Sequence, residues 1–317
     1  MSLLGGAAAQ VSQDRDTDVK SIPLRTHSLQ APYLDSDMQS RWFDFGGDTV
    51  VRTDQYVRLT PDKTSRSGWL FSRVPLTATN WEIEVAFKIH GSGTLYGDGM
   101  AMWITKQRGQ QGPVFGSVDN FEGLGIFIDT YKNNRPGTVF PYVMAMLGDG
   151  TKSYDANNDG KLNELAGCSA RGIRNPHNNV PTKAKLTYFQ DKSLRLDLQY
   201  KTDGSWTKCF DVEGVKLPPV AYLGFSAETG ELADNHDVVS VATKNLYSPS
   251  SGASGGPGAA RPKAGATMLE GKKGKGYKKA GGGWAWFFFK FILFGCVVAG
   301  GYAGFTAYRM RQQRSRF

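Results

Sequence analysis

Twenty-five consecutive residues near the end of the chain, Trp284 to Tyr308 (WAWFFFKFILFGCVVAGGYAGFTAY), carry a single charge, Lys290. Such a run has no polar face to turn toward water, so it constrains the fold more than any other feature. As a helix at ~1.5 Å per residue it reaches about 37 Å, enough to cross a ~30 Å hydrocarbon core with tilt. Trp284, Trp286, Tyr302 and Tyr308 lie near its ends, as interfacial anchors do, and Lys290 is close enough to the start to snorkel outward. The sequence predicts a transmembrane helix over 284–308, with a short basic tail over 309–317. Five lysines (272, 273, 275, 278, 279) precede the run and four arginines (309, 311, 314, 316) follow it, so charge gives no orientation. The start, MSLLGGAAAQVSQ, lacks the charged and apolar stretches of a signal peptide, and 1–24 is read as an N-terminal segment without one.

The formal charge of +9 over 317 residues is unevenly spread. From residue 251 onward there are 12 Lys/Arg against one acid, Glu270, which leaves residues 1–250 at a net −2. A nearly neutral body has no basic face for a phosphate backbone, which argues against nucleic acid. Residues 248–283 are rich in Gly, Ser, Ala, Pro and Lys and carry no apolar heptads, so they read as a flexible stem and not a coiled-coil stalk.

The body, 25–247, reads as β throughout. Residues 81–90 (WEIEVAFKIH) alternate apolar and polar, the pattern of a half-buried strand. Residues 100–105, 124–129 and 139–147 are more continuously apolar and suit strands covered on both faces. Residues 184–189, 194–200 and 206–212 form a meander broken at Asp191 and Asp203-Gly204, and 221–227 and 236–243 add two more strands. With no helix of three turns in sight, about ten strands predict a large antiparallel sandwich.

Two loops hold oxygen-rich side chains. Asp129-Thr130-Tyr131-Lys132-Asn133 follows a buried strand, and its acid and amide, four residues apart with a carbonyl between, suit a hard cation. Asp155-Ala156-Asn157-Asn158-Asp159-Gly160 opens like an EF-hand loop, but Ala166 stands at the twelfth position, where a bidentate Glu is required. Either loop alone is an ordinary Asx-rich turn; together they modestly favour one shared calcium site. Cys168 and Cys209, 41 residues apart, lack zinc spacing and fit either two reduced core thiols or one disulfide. Enzyme readings fail on pattern. Glu82-Ile83-Glu84-Val85-Ala86-Phe87 lacks the third acid of a glycosidase strand, and His90, His177 and His236 stand near no G-x-S-x-G element.

The segments WEIEVAFKIHGSG, LYGDGMAMWIT, GLGIFIDTYKN, VFPYVMAM, SYDANNDG, NELAGCSA and ETGELADNHD occur in the order and spacing of the leguminous-type (L-type) lectins of the secretory pathway. The chain resembles this family over about 25–247. The short stem is similar to that of its vesicular integral-membrane branch, not to the branch with coiled-coil stalks. The resemblance implies a concanavalin-like β-sandwich of the jelly-roll type, a lumenal lectin domain in type I topology and a Cys168–Cys209 disulfide. It further implies a cargo receptor for high-mannose N-glycans in ER, intermediate-compartment and Golgi membranes, with other cargo receptors as possible partners. Position by position it carries calcium ligation to Asp129, the Tyr131 carbonyl, Asn133 and Asp159. Sugar contact goes to Asp98 (after a cis Gly97–Asp98 peptide), Asn133, and the backbone of Gly230, Glu231 and Leu232, with Ser65 aligned less securely. Two positions depart from the family pattern: Ala156 replaces a sugar-contacting His, and Glu231 replaces an Asp. Losing the imidazole contact costs on the order of 1 kcal/mol if water replaces it. His177 and Asn157 are candidate substitutes, and a receptor that recognises cargo by protein surfaces is the alternative reading. The tail ends in Phe317, which resembles the hydrophobic terminus by which such receptors engage the vesicle coat.

Overall fold

A computed structural model of the chain describes residues 19–247. The stem, the expected transmembrane helix, the tail and most of the N-terminal segment lie outside the described residues; among these, no helix is long and apolar enough to cross a membrane. The strands, in chain order, are β1 (Lys20–Pro23), β2 (Phe43–Gly47), β3 (Val50–Arg52), β4 (Tyr56–Thr60) and β5 (Arg66–Ser72). They continue with β6 (Asn80–His90), β7 (Gly99–Thr105), β8 (Glu122–Asp129), β9 (Tyr142–Asp149) and β10 (Glu164–Ser169). The last are β11 (Thr182–Phe189), β12 (Ser193–Gln199), β13 (Thr207–Glu213), β14 (Tyr222–Thr229) and β15 (Asn235–Tyr247).

They form two antiparallel sheets. One runs β13-β12-β11-β6-β15-β4-β3, with β1 paired to the far end of β15; the other runs β10-β9-β8-β7-β14-β5-β2. The all-β sandwich expected from the alternation is therefore observed, with fifteen strands among the described residues where about ten were expected. Nine of them match ranges read from the sequence; the other six are β1 to β5 and β10. The strand expected over 139–147 begins at Tyr142, because Pro141 has no N–H to give to the ladder.

Alternate residues of facing strands make the core. Ile83, Val85, Phe87 and Ile89 of β6 meet Met100, Met102 and Ile104 of β7 and Leu124, Ile126 and Ile128 of β8. The opposite face of the second sheet is covered as well. Phe71, Trp103, Phe127 and Met144 pack beneath Val114, Phe115, Phe121 and Tyr154 from the loops. Trp103 meets Phe121 and Phe127 edge-on at 5.0 and 5.3 Å. Burial on both faces is why β7 to β9 read as apolar runs without alternation.

Cys168 of β10 and Cys209 of β13 are disulfide-bonded, Cα to Cα 5.2 Å. Each lies on an edge strand of a different sheet, so the bond clasps the sandwich along one side. The outward carboxylates of β6 are structural. Glu82 pairs with Lys244 at 3.0 Å and Glu84 with Lys183 at 3.1 Å, cross-strand ion pairs on the outer face of the sheet.

Candidate binding site

The register of three strands assembles the site at one end of the second sheet. Gly99 opens β7 opposite Asp129 at the end of β8 on one side and opposite Glu228 of β14 on the other. Asp98 therefore lies beside Asp129, although 31 residues separate them. The Gly97–Asp98 peptide is cis, as the resemblance implied. The Asp98 carbonyl accepts from both the N–H and the hydroxyl of Thr130, at 2.9 and 3.0 Å. Thr130 is a buried anchor that sequence reading passed over between its two more conspicuous neighbours.

The two oxygen-rich loops meet. Asp159 Oδ1 accepts from the Asn133 N–H at 3.1 Å and from its side-chain amide at 2.8 Å, and Oδ2 accepts from the same N–H at 3.2 Å. Asn157 adds its carbonyl to the N–H of Asn134 at 3.1 Å. Asp129 Oδ1 accepts from the N–H of Tyr131 at 3.0 Å, which turns the chain back on itself. No α-helix flanks the segment 155–160 as an EF-hand would require. Instead Ala156–Asn158 is one 3₁₀ turn, and Asp159 and Gly160 are both left-handed. Gly160 is required there on two counts, its φ of +66° and the Tyr154 ring 2.4 Å from where a Cβ would sit.

The closing loop approaches from β14. Gly230 accepts at its carbonyl from the N–H of Ser65 at 2.9 Å, which ties the less securely aligned serine to the site. A Cβ on Gly230 would lie 3.1 Å from Asp98 Oδ2, so the missing side chain lets this backbone come alongside the carboxylate. Glu231 is exposed and Leu232 half-buried in the same loop. Tyr131 is 39% exposed at the rim, its Cβ packed beside Gly97. Ala156 is exposed beside Asn157, and His177, exposed in the turn His177–Asn179, makes no hydrogen bond to this group.

Electrostatics set this end apart. Asp129 is 5% and Asp159 1% exposed. Burial, then the charge of Asp159, pushes the Asp129 carboxyl well above the ordinary range, against the Tyr131 hydrogen bond. Burial also raises Asp159, opposed by the bonds from Asn133 and the charge of Arg135. Asp98 is raised by burial, and Glu228 by burial and by Asp98. The nearest built-in cation is Arg135, 4% exposed and already engaged. It donates to the Asp159 carbonyl at 3.1 Å and to Thr138 Oγ1 at 3.2 Å, pairs with Glu164, and stacks over Tyr142 at 4.3 Å. Among the described residues no group of three or more His, Cys, Asp or Glu gathers as a metal cluster. The donors here are instead two acids, an amide and backbone carbonyls. Buried carboxylates, with Asp129 raised further by the charges of Asp159 and Asp98 and with oxygen donors beside them, are the donor chemistry of a hard divalent ion such as calcium. The residues fit it.

A two-sheet antiparallel sandwich with this loop cluster at one end is the architecture of a lectin domain, and the family match places the chain in that non-enzymatic class. The chain belongs to the legume-like lectin family, whose model matches residues 20–252. It is 43% identical to the mouse vesicular integral-membrane protein VIP36 over 245 residues, covering 75% of this chain and 65% of that protein. It is 45% identical to the human VIP36-like protein over 224 residues, covering 68% and 62%. The chain thus spans a little under two thirds of the length of both relatives. The crystal structure of the VIP36 exoplasmic/lumenal domain in its Ca2+- and Man2-bound form superposes with a TM-score of 0.66 at 42% identity, over 71% of this chain and 89% of that one. The Emp47p carbohydrate recognition domain, at 19% identity and a TM-score of 0.58, shares the fold.

Proposed function

We propose that this chain is a calcium-dependent lectin for high-mannose N-glycans that serves as a single-pass cargo receptor between the endoplasmic reticulum and the Golgi. The observation that carries the reading is the convergence of Asp98, Asp129, Asn133, Asp159 and Gly230 at one end of the sandwich. The VIP36 lumenal domain, similar over most of the described residues, crystallises with Ca2+ and mannose ligands. Asp129, the Tyr131 carbonyl, Asn133 and Asp159 hold the ion. Calcium supplies the positive charge that relieves their repulsion and fixes the loop. Asp98 accepts from sugar hydroxyls, Asn133 and the backbone of 230–232 complete the contact, and Ser65 holds the closing loop. The lectin domain spans 25–247 and faces the lumen, 284–308 anchors it after the 248–283 stem, and 309–317 meets coat components. Mannose sites of this kind are weak singly and gain from several glycans on one cargo.

A second reading rests on Ala156, which presents a methyl group where the family pattern has an imidazole. On that reading sugar binding is lost and cargo is recognised through protein surfaces. A glycan array run with calcium and with chelator separates the two: calcium-dependent signal on high-mannose glycans is expected, and silence under both conditions overturns the lectin reading in favour of the second.

A further inference from the structure

The loops that frame the site are held by a residue that does not line it. Arg174 leaves the segment between β10 and β11 and enters a narrow space between the β6–β7 and β14–β15 loops. Its Nε donates to Asp234 Oδ2 at 2.7 Å and its Nη2 to Asp234 Oδ1 at 2.8 Å, a two-pronged grip on a carboxylate that is 0% exposed. The same Nη2 donates to the Gly93 carbonyl at 3.0 Å, and the guanidinium lies 3.9 Å over the ring of Tyr96. One planar group thus joins the two loops. Tyr96 and Gly93 belong to the loop that ends in Asp98; Asp234 closes the loop that begins with Gly230.

Weaker ties run in parallel. Ser92 donates from N–H and hydroxyl to Asp62 Oδ2 at 3.0 and 3.1 Å, and the Asp62 N–H donates to Asn235 Oδ1 at 3.0 Å. Asn235 in turn donates to the His90 carbonyl at 3.1 Å. These hold the bases of the loops. Backbone bonds fix Asp98 at its root, its N–H donating to the Glu228 carbonyl at 3.3 Å, while among the described side chains Arg174 is the one that ties the 93–96 stretch of this loop to Asp234. A guanidinium suits the place because its fork matches a carboxylate and its face stacks on an aromatic ring; a lysine does neither.

We propose that Arg174 is a positioning residue that sets the spacing between Asp98 and the Gly230 loop, and so fixes glycan affinity without taking part in calcium binding. This rests on the lectin reading above. The calcium loops are held differently: among the described residues no hydrogen bond joins Asp129, Asn133 or Asp159 to Arg174, Tyr96 or Asp234, and Arg135 holds the Asp159 carbonyl instead; the two groups touch where the Tyr131 Cβ packs beside Gly97.

The test uses the purified full chain and its Arg174→Lys, Arg174→Ala and Asp234→Asn variants, with α-linked mannobiose as the probe. Calcium affinity is measured separately by titrating thermal stability, and hydrogen exchange is followed over 91–98 and 230–235. Arg174→Ala is expected to weaken mannobiose binding about tenfold, the equivalent of one or two lost hydrogen bonds, with calcium affinity within about twofold of the parent. Arg174→Lys and Asp234→Asn fall between, and exchange rises together in both segments. Sugar and calcium affinity falling in step with the melting temperature marks a merely structural arginine and overturns the proposal. Unchanged exchange in both segments also overturns it. Should the parent chain bind no mannobiose while exchange in the variants still rises, the lectin reading fails and the clamp between the loops stands.

Discussion

Removing the Cys168–Cys209 bond by a double Cys→Ala substitution is the sharpest probe of how the sandwich is closed. The bond joins residues 41 apart, and constraining a loop of that length in the unfolded chain contributes about 4 kcal/mol at 25 °C on the chain-entropy model. For a domain of this size, 1 kcal/mol moves the melting temperature by ~2–4 °C, so the variant should melt about 8–16 °C lower. Both cysteines are half-buried, so truncation itself adds little cavity cost. The bond also has a local consequence. Cys168 shares β10 with Glu164, which pairs with Arg135, and Arg135 holds the Asp159 carbonyl. Freeing the edge of β10 should therefore loosen the 155–160 loop and lower calcium affinity as well as stability. Chemical denaturation of parent and variant, each with and without calcium, measures both effects. A loss of stability under about 1 kcal/mol would refute the entropic reasoning, and an unchanged calcium affinity would refute the mechanical path through Glu164.

Calcium at a hundredfold excess over its dissociation constant should stabilise the chain by about 2.7 kcal/mol, and Asp159→Ala should abolish that gain; a melt indifferent to chelator in the parent counts against the site. In chelator, the folded-state carboxyls of Asp98, Asp129, Asp159 and Glu228 lie above their unfolded values. The folded state thus binds more protons at these four groups, and their contribution to stability should rise as pH falls from neutral toward the unfolded carboxylate range, against the opposite contribution of His27 and His236, which burial lowers. Protons compete with the ion for the same carboxylates, so the rise in melting temperature that calcium produces over chelator should shrink as pH falls through that range. Gly230→Ala places a methyl 3.1 Å from Asp98 Oδ2 and should weaken mannoside binding while leaving the calcium-dependent melt intact, read by titrating both ligands.

How much was legible depended on how each residue is surrounded. β6 announced itself because one face meets the core and the other meets solvent. β7 to β9 were recognisable as strands, but their reason, a second apolar layer under Phe115, Phe121 and Tyr154, lies in loops far off in sequence. β10 was missed: it is an edge strand, half-buried along most of its length, with Gly167 in its middle, and shows no alternation. β2 to β5 are short, and the apolar stretch of β5 is preceded by Arg66-Ser67-Gly68, which reads as a turn. Asp129, Asn133 and Asp159 stood out because their oxygens cluster in sequence. Arg135 and Arg174 did not, since a lone arginine in a loop reads as a solvated charge until the carboxylates and carbonyls it binds, 24 to 81 residues away, are in place.

β15 is the longest strand among the described residues. It begins at Asn235, three residues after the Gly230–Leu232 loop, and ends at Tyr247, where the described residues stop. At ~3.3 Å per residue its thirteen residues place the site about 40 Å from the point where the chain leaves the sandwich. When a ligand is held at one end and the chain is pulled from the other, tension passes along this strand. Its antiparallel partner β6 runs beside it from His90 opposite Asn235 to Trp81 opposite Asn245. Load applied in that direction slides one strand along the other, so the ladder bonds share it at once and are not peeled one by one. Tension applied between the site end of the sandwich and Tyr247 therefore loads the β6–β15 ladder in shear, the direction in which a sheet resists best.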